Sequence, residues 1–73
     1  MKIWISKDVC PPFGYIWVKT INEAKELIIE KNEPIEKISL EYNYSLNAFK
    51  DKAASDFFDW LDDRNYDCEF LIH

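Results

Sequence analysis

The chain has 73 residues, of which 48% are hydrophobic and 16% aromatic, with three Trp and a single Gly. This composition excludes intrinsic disorder and low-complexity sequence, and the length predicts one domain spanning residues 1–73. The formal net charge of −5 argues against direct binding to nucleic-acid phosphates and favours a protein partner with a basic surface.

Cysteine usage and the N-terminal segment predict a cytoplasmic protein. Cys10 and Cys68 lack the CxxC spacing of a metal site, and the sole histidine is His73, so neither a bound metal nor a cofactor is expected. Free thiols are favoured over a disulfide, although the sequence leaves both open. The apolar run near the N-terminus, residues 3–5, is too short for a signal peptide or a membrane span, so no membrane association is expected.

The first half of the chain predicts two strands and a helix. Residues 3–5 and 15–20 are rich in β-branched and aromatic side chains, and the Pro-Pro segment between them cannot be helical. Thr20, followed three residues later by Glu23, is a signal for a helix start, and the helix is expected to end near Asn32. The direction of the second strand stays open, since this connection is short for a parallel crossover and a hairpin is the alternative.

The second half predicts a strand over residues 35–42, a helix from about residue 50 to 64, and a strand over residues 68–72. Asn65 is expected to end the second helix in the left-handed conformation. The order β-β-α-β-α-β is typical of an α/β domain with mostly parallel strands and right-handed crossovers, in two or three layers.

The hydrophobic pattern also predicts which side chains form the core. These positions recur on one face of each helix or within the strands. The expected buried residues are Ile3, Ile5, Ile16, Val18, Leu27, Ile28, Ile38, Leu40, Phe57, Phe58, Leu61 and Leu71.

Charge is distributed unevenly along the chain. Residues 1–38 have no net charge, so the whole net charge of −5 lies in residues 39–73. Carboxylates spaced by three or four residues line the outer face of the second helix. A solvated helix face is the ordinary interpretation, and an acidic docking surface for a basic partner is the functional one. The residues concerned are Asp56, Asp59, Asp62 and Asp63.

Tyr42 ends the predicted third strand and Tyr44 lies just beyond it, at the sheet edge where open α/β sheets place their ligands. They alternate with Glu41 and Asn43, so successive side chains point to opposite faces. Exposed aromatic residues at such an edge suggest a protein-contact surface.

Several segments in chain order resemble one family. They are MKIW at the start, PPFG before an aromatic strand ending in VKT, then EAKELI, KISL and the final LIH. This pattern resembles the cyclic-phosphate processing receiver-like domains. The resemblance implies a parallel sheet in the order 2-1-3-4, with a carboxylate cluster at its carboxyl edge. In that family the cluster would hold a divalent cation and a phosphate ester.

Most of the family's ligand positions are changed in this chain. Where the family has L-D-D-x-R-P, the paired acids fall on Ser6 and Lys7, and the arginine falls on Val9. Where it has L-D-H-D-L-G, Glu41 keeps a carboxylate and Asn43 keeps an uncharged oxygen. The predicted vestigial ligand edge therefore comprises Ser6, Lys7, Asp8, Glu41 and Asn43, with no metal bound.

The leading hypothesis is a catalytically inactive receiver-like module that binds a protein, extending to a phage or mobile-element inhibitor that docks on a basic surface of its target. The alternative is a metal-dependent phosphoesterase that processes cyclic phosphates through Glu41, Asp8 and Asn43. The terminal His73 is expected to be mobile and to take no part in a site. The apolar fourth strand lies at a sheet edge in the receiver-like order, which predicts a two-fold symmetric homodimer through that strand or the helix beside it.

Overall fold

The computed structural model describes residues 1–41 and 53–73, although the side chains of residues 53–55 are not part of that description. Within these ranges the element order is the predicted β-β-α-β-α-β. The elements are β1 (Lys2–Ile5), β2 (Tyr15–Val18), α1 (Ile21–Lys31), β3 (Lys37–Leu40), α2 (Ala53–Asp63) and β4 (Glu69–Ile72).

All four strands are parallel and lie in the order β2-β1-β3-β4. The predicted α/β class and strand order are therefore confirmed. The open question about β2 is answered as well: residues 6–14 make a parallel crossover without a helix. The indole nitrogens of Trp4 and Trp17 fasten this connection, since they donate to the carbonyls of Val9 at 2.7 Å and Ser6 at 2.8 Å.

Both helices pack on one face of the sheet, which gives a two-layer domain. The crossovers through α1 and α2 run in the same direction across the sheet, and right-handed connections then place both helices on the same side. Ile21, Ala24 and Ile28 of α1 share one hydrophobic cluster with Phe57 and Leu61 of α2. In the described part of the chain, the opposite face of the sheet carries no helix.

The predicted start of α1 and the predicted C-terminal ends of both helices are confirmed. Thr20 accepts a hydrogen bond from the Glu23 N–H at 3.1 Å and begins α1, and Asn32 ends that helix with φ 51°. Asn65, at φ 59°, ends α2 in the left-handed conformation. The Tyr66 N–H donates to the Leu61 carbonyl at 3.1 Å, as in a Schellman motif.

Eight of the twelve predicted core residues are buried. Leu71 and Phe58, which were expected to be buried, are 37% and 39% exposed, because β4 is an edge strand and no described element covers its far side. Ile16 and Leu27 are only partly buried. The core residues confirmed as buried are Ile3, Ile5, Val18, Ile28, Ile38, Leu40, Phe57 and Leu61.

The second, third and fourth strands are shorter than predicted. Within residues 35–41 the third strand spans only Lys37–Leu40, although Ile35 is also buried. Residues 50–52 of the predicted second helix lie outside the described residues. Among the helices described, none has the length and apolar character needed to span a membrane.

Candidate functional site

The first of the predicted ligand residues, Ser6, holds the β1–β2 connection in place. Its side chain is fully buried, and its Oγ accepts a hydrogen bond from the Val9 N–H at 3.0 Å. Its own N–H donates to the Val18 carbonyl, which continues the pairing of β1 with β2. These bonds leave Ser6 a structural role in the turn rather than a ligand role at the surface.

Lys7, Asp8 and Glu41 lie nearby at the carboxyl ends of β1 and β3. Lys7 and Asp8 are exposed, and the Glu41 carboxylate accepts a hydrogen bond from the Lys7 N–H at 3.2 Å. The Glu41 N–H donates to the Ile5 carbonyl, so its backbone extends the ladder by one residue. The parallel pairing of β1 with β3 therefore brings Glu41 next to Lys7.

The remaining predicted residues of this edge, Tyr42, Asn43 and Tyr44, lie outside the described residues. Among the side chains described, no group of three His, Cys, Asp or Glu residues is placed to hold a metal ion. Cys10 is exposed, Cys68 is half-buried, and both thiols are free.

His73 belongs to this edge, contrary to the expectation that it would be mobile. Its ring stacks on the Trp4 indole with centroids 3.7 Å apart and an interplanar angle of 16°. Its Nδ1 lies 2.6 Å from the Oγ of buried Ser39, and its backbone N–H donates to the Leu40 carbonyl. These contacts fix the chain end against β3 and the helix-free face of the sheet.

The environment of the His73 ring favours its neutral form. Burial lowers the pKa of His73 below its usual range, and the nearby Glu41 carboxylate opposes this effect in part. The Nε2 atom is buried and has no hydrogen-bond partner among the described residues. A proton added there would leave a charged N–H without an acceptor, so the neutral ring fits this position better.

Strand register is the signal that could have identified His73. Trp4 and Ser39 are register partners on adjacent strands, and Leu40 is paired with Ile72. Because side chains alternate between faces, His73 must project to the same face as Trp4 and Ser39. The position of His73 on this face was not predicted from the sequence.

The predicted acidic surface is present on α2. Asp56, Asp59, Asp62 and Asp63 are all exposed, and the spacing of three or four residues places them opposite the buried Phe57 and Leu61. We call these four carboxylates the acidic strip.

Cations near α2 do not neutralise the acidic strip. The Arg64 guanidinium lies 4.5 Å from the centre of the Trp60 ring, and the Lys25 ammonium lies 5.7 Å from it. Within the described residues the one ion pair joins Lys37 to Glu69, on the sheet. The strip therefore has no cationic partner in the described part of the chain.

A second exposed feature is the outer edge of β4. Ile72 is 53% exposed and Leu71 is 37% exposed, and they lie on opposite faces of the strand. The Phe58 ring, at the rim of α2, contacts Phe70 with centroids 4.3 Å apart. An apolar seam thus runs along the side of the domain where β4 has no described neighbour.

Comparisons with known proteins do not supply a family. No protein-family model matches this chain, no curated protein matches it, and no solved structure matches it.

Proposed function

We propose that this chain is a protein-binding module, built on a receiver-like scaffold that has lost its chemistry, and that the acidic strip of α2 docks on a basic surface of a partner. The observation that carries the proposal is the strip itself: four exposed carboxylates on one helix face, without a cationic partner among the described residues. Clustered like charge steers association with a surface of opposite sign.

The contacts of two basic side chains near α2 support this proposal. Among the described residues, Arg64 and Lys25 are basic residues close to α2, and both contact Trp60 through cation–π interactions. Their charges thereby stabilise the junction of the two helices, while the carboxylates stay available. The last turn of α2 contains no basic residue that would offset the strip.

In the proposed mechanism, the module occupies a basic surface of its partner and blocks it. Where the basic surface of the partner normally receives nucleic acid, the acidic strip would compete for it, and the module would act as an inhibitor of the kind carried by phages and mobile elements. Such a protein works in the cytoplasm, and a cytoplasmic location is part of this proposal. So is self-association through β4, whose apolar seam is exposed in the single chain.

The experiment is quantitative affinity capture from the native host with matched charge variants. One bait carries Asp→Asn at all four positions of the acidic strip. Its control carries Glu→Gln at four exposed positions elsewhere and therefore has the same net charge. The control positions are Glu26, Glu30, Glu33 and Glu36.

We expect one or a few basic proteins to bind the native chain and the Gln control, and to be depleted at least about tenfold on the Asn bait, a loss equivalent to ~1.4 kcal/mol. A protein retained equally by all three baits would show that the strip is not the docking surface. Circular dichroism of each bait checks that the fold is intact.

The competing activity, metal-dependent processing of cyclic phosphates, makes a different prediction. It requires Glu41 and Asp8 to bind a divalent cation together with residues beyond the described part of the chain. Stabilisation by micromolar Mg²⁺ or Mn²⁺ in a thermal-shift assay, lost in Glu41→Ala, would favour this activity over the binding module.

A further inference from the structure

The backbone of β4 has hydrogen-bonding groups that point away from the sheet. The Glu69 N–H donates to the Glu36 carbonyl at 3.0 Å, and the His73 N–H donates to the Leu40 carbonyl at 2.9 Å. In a parallel ladder, alternate residues direct their backbone groups to the same neighbour. Glu69, Leu71 and His73 therefore face β3, whereas the N–H and C=O groups of Phe70 and Ile72 face outward.

We propose that two copies of this chain pair through antiparallel β4 strands with Leu71 on the two-fold axis. This inference rests on the self-association included in the proposed function, and it specifies the register. Phe70 of each copy lies opposite Ile72 of the other, and the two residues exchange both backbone hydrogen bonds. One register therefore uses all four outward N–H and C=O groups of each copy.

Side-chain burial favours the same register. Leu71 meets Leu71 of the second copy at a non-hydrogen-bonded position, where side chains approach most closely. On the helix side of the sheet, Phe70 of one copy becomes the cross-strand neighbour of Ile72 of the other. Ile72 is 53% exposed in the single chain, and the exposed Phe58 ring lies next to this pair. The apolar seam of each copy is thereby covered by the same seam of the other, as an isologous interface requires.

Charge also favours this register over a shifted one. Glu69 is the single charged residue of β4, and its carboxylate lies 3.6 Å from the Lys37 ammonium. In the proposed register the two Glu69 residues are four positions apart along the strands, or about 13 Å, beyond the Debye length of ~10 Å. A slip by two residues that moves the axis to Phe70 would halve that separation. Glu69 instead lies opposite His73 of the second copy.

The dimer would join the two acidic surfaces. A two-fold axis between antiparallel strands is perpendicular to the sheet, so both helix layers lie on the same face of one eight-stranded sheet. The acidic strips of the two α2 helices then belong to one continuous side of the dimer, and a basic partner can contact both.

Light scattering and site-specific disulfides test the register. In a Cys10→Ser, Cys68→Ala background, Leu71→Cys places two thiols on the axis with Cα atoms about 4.5 Å apart, within the range that a disulfide spans. The matched control is Ile72→Cys, whose thiol is at least as exposed but whose Cα atoms are separated by more than about 7 Å. With oxidised glutathione we expect Leu71→Cys to cross-link at least about tenfold faster.

Equal cross-linking rates of the two variants would overturn the register. A monomer at 100 μM by light scattering would overturn the dimer, and the edge of β4 would then be free to pair with a strand of another protein. A Leu71→Lys variant, which places two ammonium groups at the axis, should weaken the dimer about tenfold or more while keeping the fold, because Leu71 is 37% exposed. An unchanged dimer in that variant would also contradict the proposal. The capture experiment with the Asn bait is independent of these results, so either proposal can fail separately.

Discussion

At the residue scale, His73 joins three parts of the sheet. Its ring stacks on Trp4 of β1, its Nδ1 meets Ser39 of β3, and its backbone continues β4. The Trp4 indole is in turn tied to the β1–β2 connection through the Val9 carbonyl. Protonation of the His73 ring should therefore weaken contacts among β1, β3 and β4 on the helix-free face.

We expect the stability of the protein to fall as the pH drops from about 7.5 to 5.5, and His73 to be the cause. Its folded-state pKa is lowered by burial, so the unfolded chain binds the proton first, near a pKa of ~6.5. The stabilising contribution is complete above that pH and is lost progressively below it. The urea midpoint measured across this range reports the effect.

The control is His73→Phe, which keeps an aromatic ring for stacking on Trp4 and cannot be protonated. Its urea midpoint should change less between pH 7.5 and 5.5 than that of the native chain. The two proteins contain the same carboxylates, so the difference between their slopes reports the loss of the imidazole. If the two slopes are identical, the His73 ring is not held as described.

At the element scale, α2 is anchored to the sheet through Phe57 and Leu61. Leu61 is 4% exposed within the core cluster, whereas Leu71 of β4 is 37% exposed. We expect Leu61→Ala to lower the free energy of unfolding by ~2–5 kcal/mol, and Leu71→Ala, the matched control, to cost clearly less. Chemical denaturation of the two variants measures the difference, and equal losses would contradict the helix orientation.

The sequence was sufficient to predict the order and type of the elements. Local signals explain this success: Thr20 and Glu23 at the start of α1, Asn65 after α2, and β-branched runs in the strands. The burial of Phe58 and Leu71 was predicted wrongly because hydrophobicity indicates what could be buried. Burial also depends on a neighbouring element, and β4 has none on its outer side in the described structure.

The site was only partly predictable for a related reason. The alignment of strand ends placed Glu41 near Lys7, and the structure joins them by a hydrogen bond. The contact between His73 and Trp4 depends on pairing across β1, β3 and β4, residues far apart in the sequence. The structural role of Ser6 depends on the short turn that follows β1, which no motif in the sequence specifies.

At the scale of the whole molecule, the two faces differ in character. The helix side carries the acidic strip, while the helix-free face carries lysines packed on aromatic rings. The ammonium of Lys2 lies 5.8 Å from the centre of the Tyr15 ring, and that of Lys19 lies 6.0 Å from the Trp17 ring. This separation of charge gives the domain one strongly acidic side, on which the proposed function depends.

The most direct test of that function is carbodiimide cross-linking of the captured complex, with the linked peptides identified by mass spectrometry. Carbodiimide joins a carboxylate to a lysine in direct contact, without a spacer, and so reports which acids touch the partner. We predict links from Asp56, Asp59, Asp62 or Asp63 to lysines of the partner. Links confined to Glu26, Glu30 and Glu33 of the α1 side would contradict the account.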